Sequence, residues 1–105
     1  MDQINCGDPF SFGSKTWPGT AKLIEECGEV LQVLGKLLQT GGDTKHWDGD
    51  LRDGLRAELA DLNAAVLFFT QANGLNDAAY MGRVDAKLAT FYKWHSEQSK
   101  ETDSE

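Results

Sequence analysis

The stretch that decides the fold is LIEECGEVLQ, Leu23 to Gln32, which sets Glu25, Glu26 and Glu29 within one of the most apolar parts of the chain. Around it, Ile24, Cys27, Leu31, Leu34 and Leu38 recur at intervals of three and four, the spacing of one helical face. The pattern predicts a helix from about Pro18 to Thr40, with Pro18 or Thr20 in its first turn and Gly41-Gly42 at its end. On a wheel of about 100° per residue, the apolar arc widens to take in Val30, Val33 and Leu37. Glu26 then falls inside the arc, Glu29 at its rim, and Glu25 further toward solvent.

A second helix repeats the arrangement. From about Leu51 to Ala72, Leu55, Leu59, Leu62, Val66 and Phe69 keep the helical period, and Asn73-Gly74 stops it. Because it is apolar nearly all round after Leu59, it is expected to be the central and most buried helix. Glu58 lies between Leu55, Leu62 and Ala65, and Asp61 sits beside Phe68. Each helix thus carries carboxylates at i and i+3, on one face.

Unpaired carboxylates are costly to bury, and four gathered together repel one another, so the arrangement demands protonation, basic partners or metal. No Lys or Arg is expected one turn away on the apolar side of Glu26, Glu58 or Asp61. Metal is the better account. The donors are all hard oxygens, with no His at the i+3 position used by di-iron bundles, which favours Mg²⁺ or Mn²⁺. Either pair alone reads more readily as solvated acids on an amphipathic helix; two matching pairs on the two most apolar helices shift the reading toward a site.

Between these helices, GGDTKHWDGD (41–50) is a glycine-rich polar connection, of a length more often functional than passive. A third helix, capped by Asn76 and reaching about Glu97, places Met81, Val84, Leu88, Phe91 and His95 in register, with a break expected at Gly82. No strand is expected. Residues 1–16 form an irregular lead-in, 17–95 the folded domain, and 96–105 an acidic tail expected to be disordered. The fold class that follows is all-α, a small bundle of three to five helices with an oligomeric four-helix-type core.

The 105 residues suffice for one domain, and 40% hydrophobic with 26% charged residues is the composition of a globular protein. Seventeen acidic against ten basic residues give a net charge of −7, which repels nucleic acid polymers. Cys6 and Cys27 are too few for a disulfide framework. With no export signal or membrane-spanning run in the sequence, a cytoplasmic protein without a membrane partner is expected.

EECGE (Glu25 to Glu29), a spacer, and then ELAD (Glu58 to Asp61) resemble the EExxE and ExxD signature of the MazG-like all-α nucleoside triphosphate pyrophosphohydrolases. The third-helix segment GRVDAKLATFYKWH is similar to that family's basic closing helix, so the resemblance spans about Trp17 to His95. It implies Mg²⁺ on Glu26, Glu29, Glu58 and Asp61, and substrate phosphates near Arg83 and Lys87. It also implies a general base among Glu25, Glu26 and Glu29, with Glu29 or Glu26 preferred. The implied reaction is hydrolysis of a nucleoside triphosphate to the monophosphate and pyrophosphate. KLIEECGEV also resembles a segment of phosphoribosyl-ATP pyrophosphohydrolase, the first alternative; an acidic helical protein that binds a partner or senses nucleotides without catalysis is the second.

Trp17 and Trp47 are candidates to stack on a nucleobase, or else packing residues, and Phe10 and Phe12 are weaker candidates. His95 reads as a packing residue, and Arg52 and Arg56 as phosphate contacts or a solvated helix start. Leu67, Phe68, Phe91 and Tyr92 exceed the apolar surface one small bundle buries, which with the family resemblance predicts a homodimer or homotetramer.

Overall fold

The computed structural model describes residues 17–47 and 49–103. The chain is all-α: α1 (Thr20–Gln39), α2 (Leu51–Ala72) and α3 (Ala78–Asp103), with a minimal hairpin of β1 (Lys45–His46) and β2 (Gly49–Asp50) before α2. Cys6, Phe10 and Phe12 lie outside the described residues. Among the described residues, no helix is long and apolar enough to cross a membrane.

A turn at Trp17 to Gly19 launches α1. Gly19 occupies the left-handed region at φ 91°, which glycine adopts without steric cost, and the Thr20 hydroxyl donates to Trp17 O at 2.7 Å. At the other end Gly41 N donates to Leu38 O and Gly42 N to Leu37 O, with Gly41 at φ 66°. This crossed pair of bonds closes the helix and satisfies its last carbonyls. The glycine pair thus ends α1 where the sequence predicts.

The hairpin that follows was not expected, because two-residue strands leave no period to read. Lys45 pairs with Asp50 and His46 with Gly49. Asp50 then caps α2, its side chain accepting from Arg52 N at 2.8 Å. At the far end of α2, Asn73 Nδ2 donates to Pro18 O at 2.9 Å and to Phe69 O at 2.8 Å. Since the end of α2 is tied to the residues that precede α1, and the hairpin joins their other ends, the two helices run antiparallel.

The face of α1 that packs is not the most regular apolar stripe. Glu26 and Val30 are buried and Leu23, Val33 and Leu37 half-buried, again at spacings of three and four but displaced by one residue, about 100°, from the stripe of Ile24, Cys27, Leu31, Leu34 and Leu38. Those five are exposed, Leu31 at 67% and Leu38 at 84%. On α2 the corresponding stripe is Leu51, Leu55, Glu58, Leu62, Ala65 and Phe69. Among the described residues α2 holds more buried positions than α1, Leu51, Ala65 and Thr70 against Glu26 and Val30, but it is not buried all round, since Leu59, Leu67 and Phe68 are exposed. Each helix buries one face only, against the other.

The chain divides into two units, the second beginning at Gly74. Within that unit the Asp77 side chain accepts from Tyr80 N at 2.9 Å and so caps α3, one residue later than the expected Asn76. Two further expectations are corrected. The helix runs unbroken through Gly82, and it continues to Asp103, so that residues 96–103 are helical rather than a disordered tail. Met81, Val84, Leu88, Phe91 and Tyr92 are exposed, and so is His95, which was expected to pack.

Candidate metal centre

Glu26 sits in the packing stripe of α1 and Glu58 in that of α2, so helix pairing brings the two carboxylates face to face. Glu29 and Asp61, each three residues on, are carried to the rim of the same contact. Each of the four offers an oxygen, and these oxygens all lie within 4.8 Å of one another. Glu26 is 5% exposed. Its Oε2 and that of Glu58 are buried with no hydrogen-bond partner, an expensive state for a carboxylate oxygen unless a cation or proton reaches it.

The strain of gathering these acids is visible at Glu29. A hydrogen bond with Glu58 holds its carboxyl above the ordinary 4.5, and burial and the charges of Glu58 and Glu25 push the same way, against a smaller opposing hydrogen bond from Glu26.

One basic residue does reach the cluster, contrary to expectation. Lys22 Nζ lies 3.2 Å from Glu26 Oε1 and 3.5 Å from Glu25 Oε1. Its own pKa is raised, chiefly by the hydrogen bond to Glu26. The signal was present in the sequence, since Lys22 and Glu26 are four residues apart on one helix. Among the described residues, a single ammonium leaves three of the four carboxylates without a basic partner.

Hard oxygen donors suit Mg²⁺, Mn²⁺ or Ca²⁺. Two ligand oxygens on opposite sides of a magnesium ion are about 4.2 Å apart, so donors within 4.8 Å of one another need only small side-chain movements to enclose one. The residues therefore fit a divalent cation, and the two orphaned buried oxygens are what such an ion would satisfy.

A cleft of about 470 Å³ opens beside the cluster, lined by Gly19, Lys22, Glu26, Asp61, Ala64, Ala65 and Phe68. Gly19 is needed here for a second reason: a Cβ at this position would stand 2.9 Å from Phe68 Cδ1. The small side chains of Ala64 and Ala65 leave the cleft open, and Phe68 offers an aromatic wall. Of these lining residues only Glu26 and Asp61 were singled out from sequence as ligands; no periodicity or motif identifies a cleft wall.

The other candidates are not members of the four-carboxylate group. Glu25 is exposed, is outside the four-carboxylate group and pairs with Lys22. Trp17 is not in the cleft lining; its ring stacks on Phe69 with centroids 6.1 Å apart and planes 14° from parallel. Trp47, 89% exposed at the hairpin turn, contacts the His46 ring at 5.0 Å. Arg56 pairs with Asp53 at 3.0 Å on an exposed face. Arg83 and Lys87 belong to the second unit, where they line a shallow apolar groove on α3 with Tyr80, Val84, Leu88 and Phe91.

Set against protein-family models, curated proteins and solved structures, the chain matches none.

Proposed function

We propose that this protein hydrolyses a nucleoside or deoxynucleoside triphosphate to the monophosphate and pyrophosphate, using a divalent cation, Mg²⁺ or Mn²⁺, held by Glu26, Glu29, Glu58 and Asp61. The observation that carries this reading is the convergence of those four carboxylates, two with buried oxygens that nothing in the described chain satisfies. The resemblance of EECGE and ELAD to the MazG-like signature supplies the choice of reaction.

A cation bound there supplies the positive charge that lets an acidic cleft accept a triphosphate and that offsets charge at the reacting phosphorus. The chain's own residues do the rest. Lys22 restrains the Glu26 carboxylate through Oε1 and leaves Oε2 without a hydrogen-bond partner. The cleft beside the cluster takes the nucleoside, with Phe68 as a stacking wall and Gly19, Ala64 and Ala65 leaving room for it. Glu29, whose carboxyl already has an elevated proton affinity, is the preferred general base toward the attacking water. Water oxygen bonds to the α-phosphorus, the bond from that phosphorus to the bridging oxygen breaks, and pyrophosphate leaves. Arg83 and Lys87 are assigned to the substrate phosphates by the resemblance alone. The active form is a cytoplasmic homo-oligomer.

Phosphorus NMR of the purified protein with Mg²⁺ and a panel of canonical and damaged nucleotides, phosphoribosyl-ATP among them, tests the reading. Pyrophosphate should form from at least one substrate and vanish in Asp61→Asn. No pyrophosphate from any member of the panel would refute it.

A further inference from the structure

Glu25 is the one acid of EECGE that the four-carboxylate group does not include. Its side chain is 52% exposed, and what it touches is Lys22. Lys22 Nζ lies 3.5 Å from Glu25 Oε1 and 3.2 Å from Glu26 Oε1. A lysine at i reaches acids at i+3 and i+4 from a single stem, so one ammonium stands between two glutamates in unlike surroundings. Glu26 is buried and belongs to the cluster; Glu25 is exposed and does not.

Without a metal ion, the buried carboxylate needs a counter-charge. Among the described residues, Lys22 is the basic side chain that supplies it. A divalent cation bound through Glu26 changes the balance, because the same carboxylate then holds a double positive charge beside the ammonium, and like charges so close repel. The ammonium needs another acceptor, and Glu25 Oε1 is already at 3.5 Å. Lysine's flexible four-carbon stem can turn from one acid to the other without any shift of the helix.

We propose that Lys22 is a resident counter-ion of the cation site, seated on Glu26 when metal is absent and handed to Glu25 when a divalent ion binds. This role rests on the reading of the four carboxylates as a metal site. Neither Lys22 nor Glu25 is a ligand. Glu25 is a positioning residue that acts through Lys22, and the ease with which it takes the ammonium sets the affinity of the site for divalent cations.

Calorimetric titration of Mg²⁺ into the full chain, and into Lys22→Met, Glu25→Gln and the double variant, tests it. Lys22→Met removes the competitor and should bind Mg²⁺ about threefold more tightly than the wild type. Glu25→Gln leaves the ammonium on Glu26 and should bind about threefold more weakly. In the Lys22→Met background the same Glu25 substitution should change the affinity by no more than about 1.5-fold, because an exposed charge acting alone is screened. The difference between the two backgrounds is the coupling that a handover requires. Nitrogen-15 NMR of the Lys22 ammonium gives a second readout that needs no Lys22 variant: its resonance should move as Mg²⁺ saturates the wild type, and move less in Glu25→Gln. An equal effect of Glu25→Gln in both backgrounds would overturn the handover. So would a Lys22→Met protein that binds Mg²⁺ no more tightly than the wild type, or a Lys22 resonance indifferent to the metal. No saturable binding in any of the four proteins would instead refute the metal centre itself, and this role with it.

Discussion

Lys22 Nζ lies 3.2 Å from Glu26 Oε1, while Oε2 of the same carboxylate is buried without a hydrogen-bond partner. One oxygen is paired from within the helix, and the other is left without a partner in a group of four carboxylates. The pair explains how Glu26 can be buried between apolar helices before any cation arrives. Replacing Lys22 by Met removes that compensation. The loss is expected to lower the stability of the metal-free protein, moderated by solvent screening of the exposed ammonium. Urea denaturation in a chelator measures it, and an unchanged midpoint would show that the ion pair does not support the fold.

The hydrogen bond between Glu29 and Glu58 gives the metal-free protein a defined pH response. Glu29 binds its proton more tightly in the folded chain than in the unfolded one. The stability this contributes is complete below the unfolded value near 4.5 and is lost as pH rises through the elevated folded value. Denaturation midpoints in chelator should fall over that window for the wild type and fall less for Glu29→Gln. Saturating Mg²⁺ should flatten the wild-type curve, because the cation takes over the proton's role. A midpoint that climbs through the same window would contradict the assignment.

Gly19 is held by two independent constraints, a φ of 91° and the 2.9 Å approach of a built Cβ to Phe68 Cδ1. Gly19→Ala should therefore destabilise by about 1–2 kcal/mol, and crowd the cleft wall. Guanidinium denaturation gives the first effect. An alanine variant as stable as wild type would mean that the turn before α1 relaxes freely.

Asn73 closes the helix pair from the other side, its amide shared between Pro18 O and Phe69 O. Asn73→Ala leaves both carbonyls without this donor and should cost about 1–2 kcal/mol. Amide exchange should quicken in the first turn of α1 and the last turn of α2 before it does so elsewhere. Uniform acceleration along both helices would argue against a local clasp.

Much of this was legible in the residues. The limits of α2, Leu51 and Ala72, follow from period and punctuation, as does the end of α1 at its glycine pair. The four carboxylates were recognisable because i, i+3 spacing on each of two apolar helices leaves them one place to meet. What the pattern concealed was the packing face of α1. Its two apolar stripes have identical spacing, and the one that packs contains Glu26, which makes it the less apolar of the two. Lys22 was overlooked because it was sought on the apolar side, whereas a lysine's long stem reaches the cluster from the flank. Residues 96–103 lack any apolar period, yet they extend a helix already nucleated, which needs no further burial.

The central claim is that Glu26, Glu29, Glu58 and Asp61 act together as one divalent-cation site. Calorimetric titration of Mg²⁺ into the wild-type protein, and into Glu26→Gln, Glu58→Gln and Asp61→Asn, addresses it without reference to any substrate. Saturable binding in the wild type, weakened roughly tenfold or more in each variant, is the expected result. Saturation at the same affinity in all four proteins, or no saturable heat in any, would contradict it.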